Sequence, residues 1–193
     1  MKTSIILAGL SAVALSGCVS VLPEPEAPDA LYTISAQTRF DDLPHTLIVR
    51  EPEAPVILAG QALVSEGVDG ELRLIPGVEW SGPATRQIQY SIIDSFAPEA
   101  PGHAVPPELG VLAAYELATR VSDLRLRGDT ALCGIVVSVI ASNRRELIAR
   151  TYVSAEEAAT SSSANRAMAL SDAASDCAAQ ASQFALETLQ TLP

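Results

Sequence analysis

The chain has 193 residues, and 23 acidic residues against 12 basic ones give it a net charge of −11. An acidic balance of this size argues against nucleic-acid binding, which requires a basic surface. The length and the 48% hydrophobic content suit one domain with a core of its own. We therefore expect a single folded domain without a nucleic-acid partner.

Residues 1–17 form a basic, apolar and small-residue segment with Lys2 as its only charge. This pattern is typical of a secretory signal peptide, and its apolar run is shorter than the roughly 20 residues that a spanning helix needs. The segment ends in Leu15-Ser16-Gly17-Cys18, which matches the bacterial lipobox. We predict cleavage before Cys18 and attachment of lipid to its thiol; the alternative is an unmodified cysteine in an ordinary signal peptide.

A proline- and acid-rich segment follows the lipobox. Residues 19–30 read VSVLPEPEAPDA, with three prolines and three acids, a composition that favours an extended, poorly packed chain. We interpret residues 18–30 as a lipidated tether and 31–193 as one periplasmic domain. Val19 takes the place of the Asp that retains bacterial lipoproteins in the inner membrane, which favours the periplasmic face of the outer membrane.

The first half of the domain predicts short strands and one helix. Strands are expected at 31–34 and 47–50, and a hairpin is expected from strands within 55–65 and 71–75 around Gly67-Val68-Asp69-Gly70. Beyond Trp80, a proline at position 83 marks a helix start. The apolar stripe of that helix consists of Ile88, Ile92 and Phe96.

The second half predicts an antiparallel meander and a long helix. Alternating residues over 115–122, a dense apolar run over 132–141 and a second alternation over 147–153 indicate three strands. Residues 165–189 carry an apolar face at helical spacing, which should pack on the sheet. The fold class expected is α+β, an antiparallel-rich sheet with about two helices on it, one of them a long C-terminal helix.

Two cysteines remain after the lipobox, Cys133 and Cys177. An oxidising periplasm favours a disulfide between them, and two buried free thiols are the alternative. We expect no zinc site, because no histidine is near either cysteine and two thiols alone do not hold the ion.

No residue set indicates catalysis. His45 and His103 lie in proline-containing loops without metal-ligand spacing, and Asp172 and Asp176 share a helix face that is expected to be solvated. Phosphate-binding loops and nucleophile motifs are absent from the sequence. We therefore predict a protein that is not an enzyme and uses no cofactor or metal.

Two further features have structural interpretations. Arg144-Arg145 is expected at the tip of a hairpin. A lone tryptophan such as Trp80 is expected in the core rather than in a lipid-binding groove.

The order of these features resembles the auxiliary lipoproteins of ABC-type transport systems, which serve MCE-type lipid transporters and the paraquat-inducible system. The segments that carry the resemblance are the lipobox at Cys18 with its tether, 31–34, 48–52, 72–80 with the following helix, 115–126 and 169–189. One segment departs from the family: Pro55-Val56-Ile57-Leu58 lacks the usual Pro-x-Leu-aromatic pattern, so the end of the second strand is poorly defined.

The resemblance implies a non-enzymatic component that helps to move phospholipid or another hydrophobic substrate between two membranes. Its partners would be an MCE-domain protein, a permease and an ATPase, and a homo-oligomer at the outer membrane is also implied. The competing class is an assembly or structural lipoprotein that supports an outer-membrane complex without carrying lipid. Fold alone does not separate these classes, whereas a neighbouring MCE gene would favour transport.

Overall fold

The computed structural model describes residues 27–193 as eight strands in one sheet and three α-helices. In chain order the elements are β1 Ala30–Tyr32, β2 Leu47–Val49, α1 Val56–Ala59, β3 Ala62–Glu66, β4 Leu72–Trp80, α2 Ala84–Asp94, β5 Ala104–Val105, a 3₁₀ turn Pro107–Leu109, β6 Tyr115–Arg127, β7 Thr130–Ala141, β8 Glu146–Ala158 and α3 Ser163–Gln190. The predicted α+β class is confirmed. The helices α2 and α3 are the two predicted ones, and α1 is a single additional turn.

The antiparallel meander β6–β7–β8 is the largest part of the sheet. β6 and β7 pair from Tyr115↔Ala141 to Arg127↔Thr130, and β8 pairs along the other edge of β7. Alternate residues of β7 are buried, from Ala131 through Ile135 to Ala141. One face of the meander therefore belongs to the core and the other is turned outward.

The rest of the sheet is mixed, because four short pairings are parallel. β1 pairs with β4, β3 and β2 each pair with β6, and β5 pairs with β2. β2 lies along residues 115–117 of β6 and β3 along residues 126–127, so both occupy the edge that β7 leaves free. The strand order is then β1–β4–β3–β6–β7–β8, with β1 and β8 at opposite edges.

The predicted strand over 55–65 is wrong in its first half. The carbonyl of Pro55 accepts hydrogen bonds from the amides of Leu58 and Ala59, at 2.8 and 3.1 Å, and this closes the turn of α1. The strand begins only at Ala62. The turn after it is confirmed, and β4 runs on to Trp80, since the parallel pairing with β1 extends that strand.

Both long helices cover the same face of the sheet. On α2, Ile88 and Ile92 are fully buried as predicted, and Trp80 is 1% exposed in the same core. α3 places small residues against the meander: Ala167, Ala173, Ala174, Ala178, Ala181 and Ala185 are all fully buried. Small side chains let the helix axis approach the sheet closely, so van der Waals contact is dense although few large residues are present. Among residues 27–193, no helix combines the length and apolarity that crossing a membrane requires.

The loop that follows α2 passes close to the backbone of residues 43–45 at Gly102. Its amide donates to the carbonyl of Leu43 at 2.7 Å, and a Cβ at this position would clash with the backbone of His45. We predict that Gly102→Ala lowers the free energy of unfolding by about 1–3 kcal/mol, because backbone must shift to accept the methyl group. Urea denaturation measures the loss.

Gly60→Ala is the matched control for this substitution. A Cβ at Gly60 meets no atom within 4 Å, and the residue has a negative φ of −84°. Its free energy of unfolding should stay within about 0.5 kcal/mol of the parent. Equal loss in both variants would contradict the close-approach argument.

Candidate functional site

The tether joins the domain at the β1 edge of the sheet. Cys18, the predicted lipid site, lies outside the described residues. The amide of Asp29 donates to the carbonyl of Gly77 at 2.8 Å, and Ala30 then pairs with Val78 on β4. The tether therefore joins the domain at β1, at the edge of the sheet opposite to β8.

Cys133 and Cys177 are brought together inside the core. Cys133 lies on the core face of β7 and is 2% exposed, while Cys177 is fully buried on α3. The neighbouring Cys177 thiol, followed by burial, raises the pKa of the Cys133 thiol well above its usual range. Both residues are free thiols in this structure, so the juxtaposition is shown and the disulfide stays a prediction.

The other residues weighed from the sequence do not converge on one site. The ring of His45 lies 5.2 Å from that of Tyr115 and is tilted by 56° to it, and the carbonyl of His103 accepts a hydrogen bond from the amide of Leu47. Asp172 is exposed on α3 and Asp176 is partly buried. Over residues 27–193, no cluster of three or more potential metal-ligating side chains occurs.

A groove of about 900 Å³ runs over the outward face of the meander. Its floor is formed by alternate residues of the three strands, including Arg120 on β6, Ser138 on β7 and Arg150 on β8. One wall is formed by Glu53 with the 3₁₀ turn that begins at Pro107, and the other by the β7–β8 turn. We call this feature the open-face groove.

The open-face groove is lined by arginines that have no ionic partner among residues 27–193. Seven of the 11 arginines, all of which lie in the described part of the chain, form ion pairs: Arg39, Arg50, Arg73, Arg86, Arg125, Arg127 and Arg144. Three of the remaining four line this groove: Arg120, Arg145 and Arg150. Each of the three is exposed.

The carboxylates around the groove are mostly engaged already. Glu116 pairs with Arg50 at 2.6 Å, and Glu51 and Glu108 share Arg86 at 3.5 and 3.0 Å. Only Glu53, the backbone neighbour of Arg120, lacks an ion pair among the lining acids of the described chain. Three unpaired cations thus face one unpaired carboxylate, in a protein that is acidic overall.

The β7–β8 turn adds a strained residue to the groove wall. Arg145 has φ 51° and is the only non-glycine residue with positive φ between residues 27 and 193. This left-handed conformation is unfavourable for a residue with a Cβ. The hydroxyl of Ser142 in the same turn is buried and has no hydrogen-bond partner within the described part of the chain. Arg144-Arg145 occupies the hairpin tip, as predicted.

Charges at the opposite end of the meander are arranged differently. Glu66 bridges Arg125 and Arg127 at 3.0 and 2.9 Å, and Arg125 also lies 3.1 Å from Asp123. Burial raises the pKa of Asp123, although the two arginines partly oppose that shift. Arg125 and Arg127 at this end each have a carboxylate partner, whereas three arginines of the open-face groove have none among the described residues.

Sequence reasoning missed the open-face groove. Arg120 and Arg150 each occupy a polar position in an alternating strand, a pattern that indicates only a solvated face. Their clustering depends on the register that aligns Ala118 with Ser138 and Ser138 with Arg150. The sequence signal that could have indicated the groove is the small number of cations, because an arginine without an ion-pair partner is unusual in an acidic chain.

The chain matches one protein-family model and is similar to solved structures. The model of a family described as "ABC-type transport auxiliary lipoprotein component" matches residues 8–182. A solved structure of a Xanthomonas campestris protein of the DUF330 family superposes with a TM-score of 0.75 at 18% identity, covering 83% of this chain and 97% of that one. A second solved structure, of an uncharacterized protein, gives a TM-score of 0.62 at 13% identity and covers 82% and 99% of the two chains. No curated protein matches.

We predict that Cys133 and Cys177 form a disulfide in protein exported to the periplasm. The bond would close a loop of roughly 45 residues and contribute about 3–4 kcal/mol to the free energy of unfolding. Because the folded Cys133 thiol is buried and its pKa is raised, oxidation should occur before α3 packs. Maleimide labelling of the denatured, unreduced and unlipidated domain should then detect no free thiol.

Protein that has been reduced before denaturation is the control, and it should take up two labels per chain. The Cys133→Ala and Cys177→Ala variants should each take up one label without reduction. Two labels on the untreated domain would show that packing alone holds α3.

Proposed function

Because the chain belongs to the family of ABC-type transport auxiliary lipoprotein components, we propose that it is the outer-membrane member of an MCE-type transport system. In this proposal it is non-enzymatic and periplasmic, and it helps to move phospholipid or another hydrophobic substrate between the two membranes. Its partners are an MCE-domain protein, a permease and an ATPase. The observation that carries the proposal is the span of the family match, residues 8–182, which includes the lipobox and all but the last 11 residues of the domain.

Anchoring through Cys18 supports this role. The lipobox and the apolar run before it fit a lipidated N-terminus, and two or more acyl chains hold a protein firmly on a bilayer. Val19 after the cysteine favours the outer membrane. The described domain begins only about ten residues later, so the anchor leaves it close to the membrane surface.

The surface of the domain supports a binding role. One face of the sheet is buried under α2 and α3, whereas the meander presents a groove of about 900 Å³ on its other face. An auxiliary component must contact the rest of its transport system, and this groove is larger than the cavity of about 530 Å³ beside Gly77 and the cavity of about 270 Å³ beside Pro83. A partner of the system is the occupant that the proposed function requires.

We predict that Cys18→Ser releases the protein from the membrane. Without the thiol no diacylglycerol can be attached, and the domain has no other described segment that spans a bilayer. Fractionation should move the protein to the soluble periplasm, and labelling with a fatty-acid analogue should disappear. Cys177→Ala is the control, which should remain in the membrane fraction. Persistent labelling of the Cys18 variant would refute the assigned lipid site.

Deletion of the gene tests the transport role. Loss of the protein should weaken the outer-membrane barrier to detergents as much as loss of its MCE partner does, and the double deletion should add nothing. The physical reason is that two parts of one conduit limit the same flux. Sensitivity to hydrophobic compounds measures the defect, and strictly additive defects would instead favour an assembly lipoprotein in a separate process.

A further inference from the structure

Three exposed leucines lie on segments that adjoin the open-face groove, and we call them its apolar rim. Leu109 is 63% exposed, Leu112 is 98% exposed and Leu147 is 54% exposed. The loop carrying the first two connects Glu108, which lines the groove, to Ala114, whose carbonyl accepts from Ser142 at 2.8 Å. Leu147 is the cross-strand partner of Ile140 on the groove floor. The segments that carry the apolar rim are therefore connected directly to residues that line the groove.

The chemistry of this surface selects its occupant. Guanidinium groups bind carboxylates through paired hydrogen bonds, and three of them are available against one unpaired carboxylate. A small inorganic anion would engage the arginines but leave the leucines in water. Interfaces between proteins combine apolar contacts with Arg-centred polar ones, and good packing in a concave site makes them specific.

We propose that the open-face groove docks an acidic segment of a partner protein, with carboxylates on Arg120, Arg145 and Arg150 and apolar side chains against Leu109 and Leu112. The proposal deepens the proposed function and rests on it for one point only, that the partner is the MCE-domain protein of the same system. The left-handed Arg145 fits this assignment, since backbone strain tends to persist where it positions a functional side chain.

The groove is also well placed for a partner. The tether enters at β1 and the groove lies over β6 to β8, three to five strands away, which at the usual strand spacing is about 15–24 Å. A partner seated there leaves β1, near the start of the described chain, uncovered.

A photoreactive phenylalanine analogue at Leu112 tests the docking surface in the full-length, lipidated protein in cells. Val68 on the β3–β4 turn is the matched control, since it is equally exposed at 103% but lies away from the groove. Light should cross-link position 112, and not position 68, to one periplasmic protein. Mass spectrometry of the adduct should identify an acidic segment of that protein.

Charge reversal then tests the arginines. With the probe at position 112, combining Arg145→Glu with Arg150→Glu should lower the adduct yield on the order of tenfold. Arg39→Glu with Arg73→Glu is the control, because it changes the net charge equally at ion-paired sites outside the groove. Exchanging acids of the cross-linked segment for arginine should restore the adduct of the groove variant. If that variant does not fold, Leu109→Ser in its place should reduce the yield.

Several outcomes would overturn the docking surface. These are equal adducts from positions 68 and 112, a yield indifferent to charge reversal, or an adduct segment without acids. Flotation of the Cys18→Ser protein with vesicles of phosphatidylethanolamine and phosphatidylglycerol, if lost on Arg145→Glu and Arg150→Glu, would assign the groove to a membrane instead. An acidic partner outside the MCE system would preserve the docking surface and refute the proposed function. Non-additive deletion defects without a cross-linked adduct would preserve the proposed function and refute the docking surface.

Discussion

The packing of α3 on the meander is the interaction on which the rest of the structure depends. A 28-residue helix can lie close to three long strands because its contact face is made largely of alanine. That contact fixes which side chains of β6, β7 and β8 are inside. Since successive residues of a strand point to opposite faces, burial of Ile135 and Val137 also determines that Val136 and Ser138 are outside. The packing of the core therefore determines which residues lie on the outward face, where the open-face groove is found.

The same constraint explains how much could be predicted from the sequence. The strands of the meander and α3 have periodic patterns long enough to define them, and Ile88 and Ile92 were correctly expected in the core. The predictions of short elements were wrong where the local sequence pattern and the contacts made in the fold favour different structures. Residues 55–59 are apolar enough for a strand, yet the carbonyl of Pro55 closes a helical turn, and β4 is extended by a parallel partner, β1, that is distant in sequence.

The candidate site was harder to predict, because it depends on register rather than on local pattern. Arg120 and Arg150 are separated by two strand crossings, and no motif relates them. Lateral pairing brings their rows together through Ser138. The cysteine pair was easier to predict, since only two cysteines follow the lipobox and an oxidising compartment favours their pairing. Long-range pairing therefore limited the prediction more than secondary structure did.

The distribution of ion pairs suggests why the unpaired arginines matter. At the far end of the meander, Glu66 neutralises both Arg125 and Arg127, and Asp123 lies beside them. With 23 acidic residues in the chain, a carboxylate near Arg145 or Arg150 would be easy to supply. Arg120, Arg145 and Arg150 have no carboxylate partner among the described residues, so their guanidinium groups remain available to an anionic occupant of the open-face groove.

The anchor and the groove divide two tasks between them. Ala27, the first described residue, follows Cys18 by nine positions, and a fully extended chain of that length spans at most about 32 Å. Six strands at the usual spacing are about 24 Å wide, so the tether is long enough for the domain to turn either face toward the membrane. The lipid therefore determines where the protein is held, whereas its orientation must come from contacts of the folded domain. The open-face groove, with its unpaired cations and apolar rim, is the surface best suited to supply those contacts.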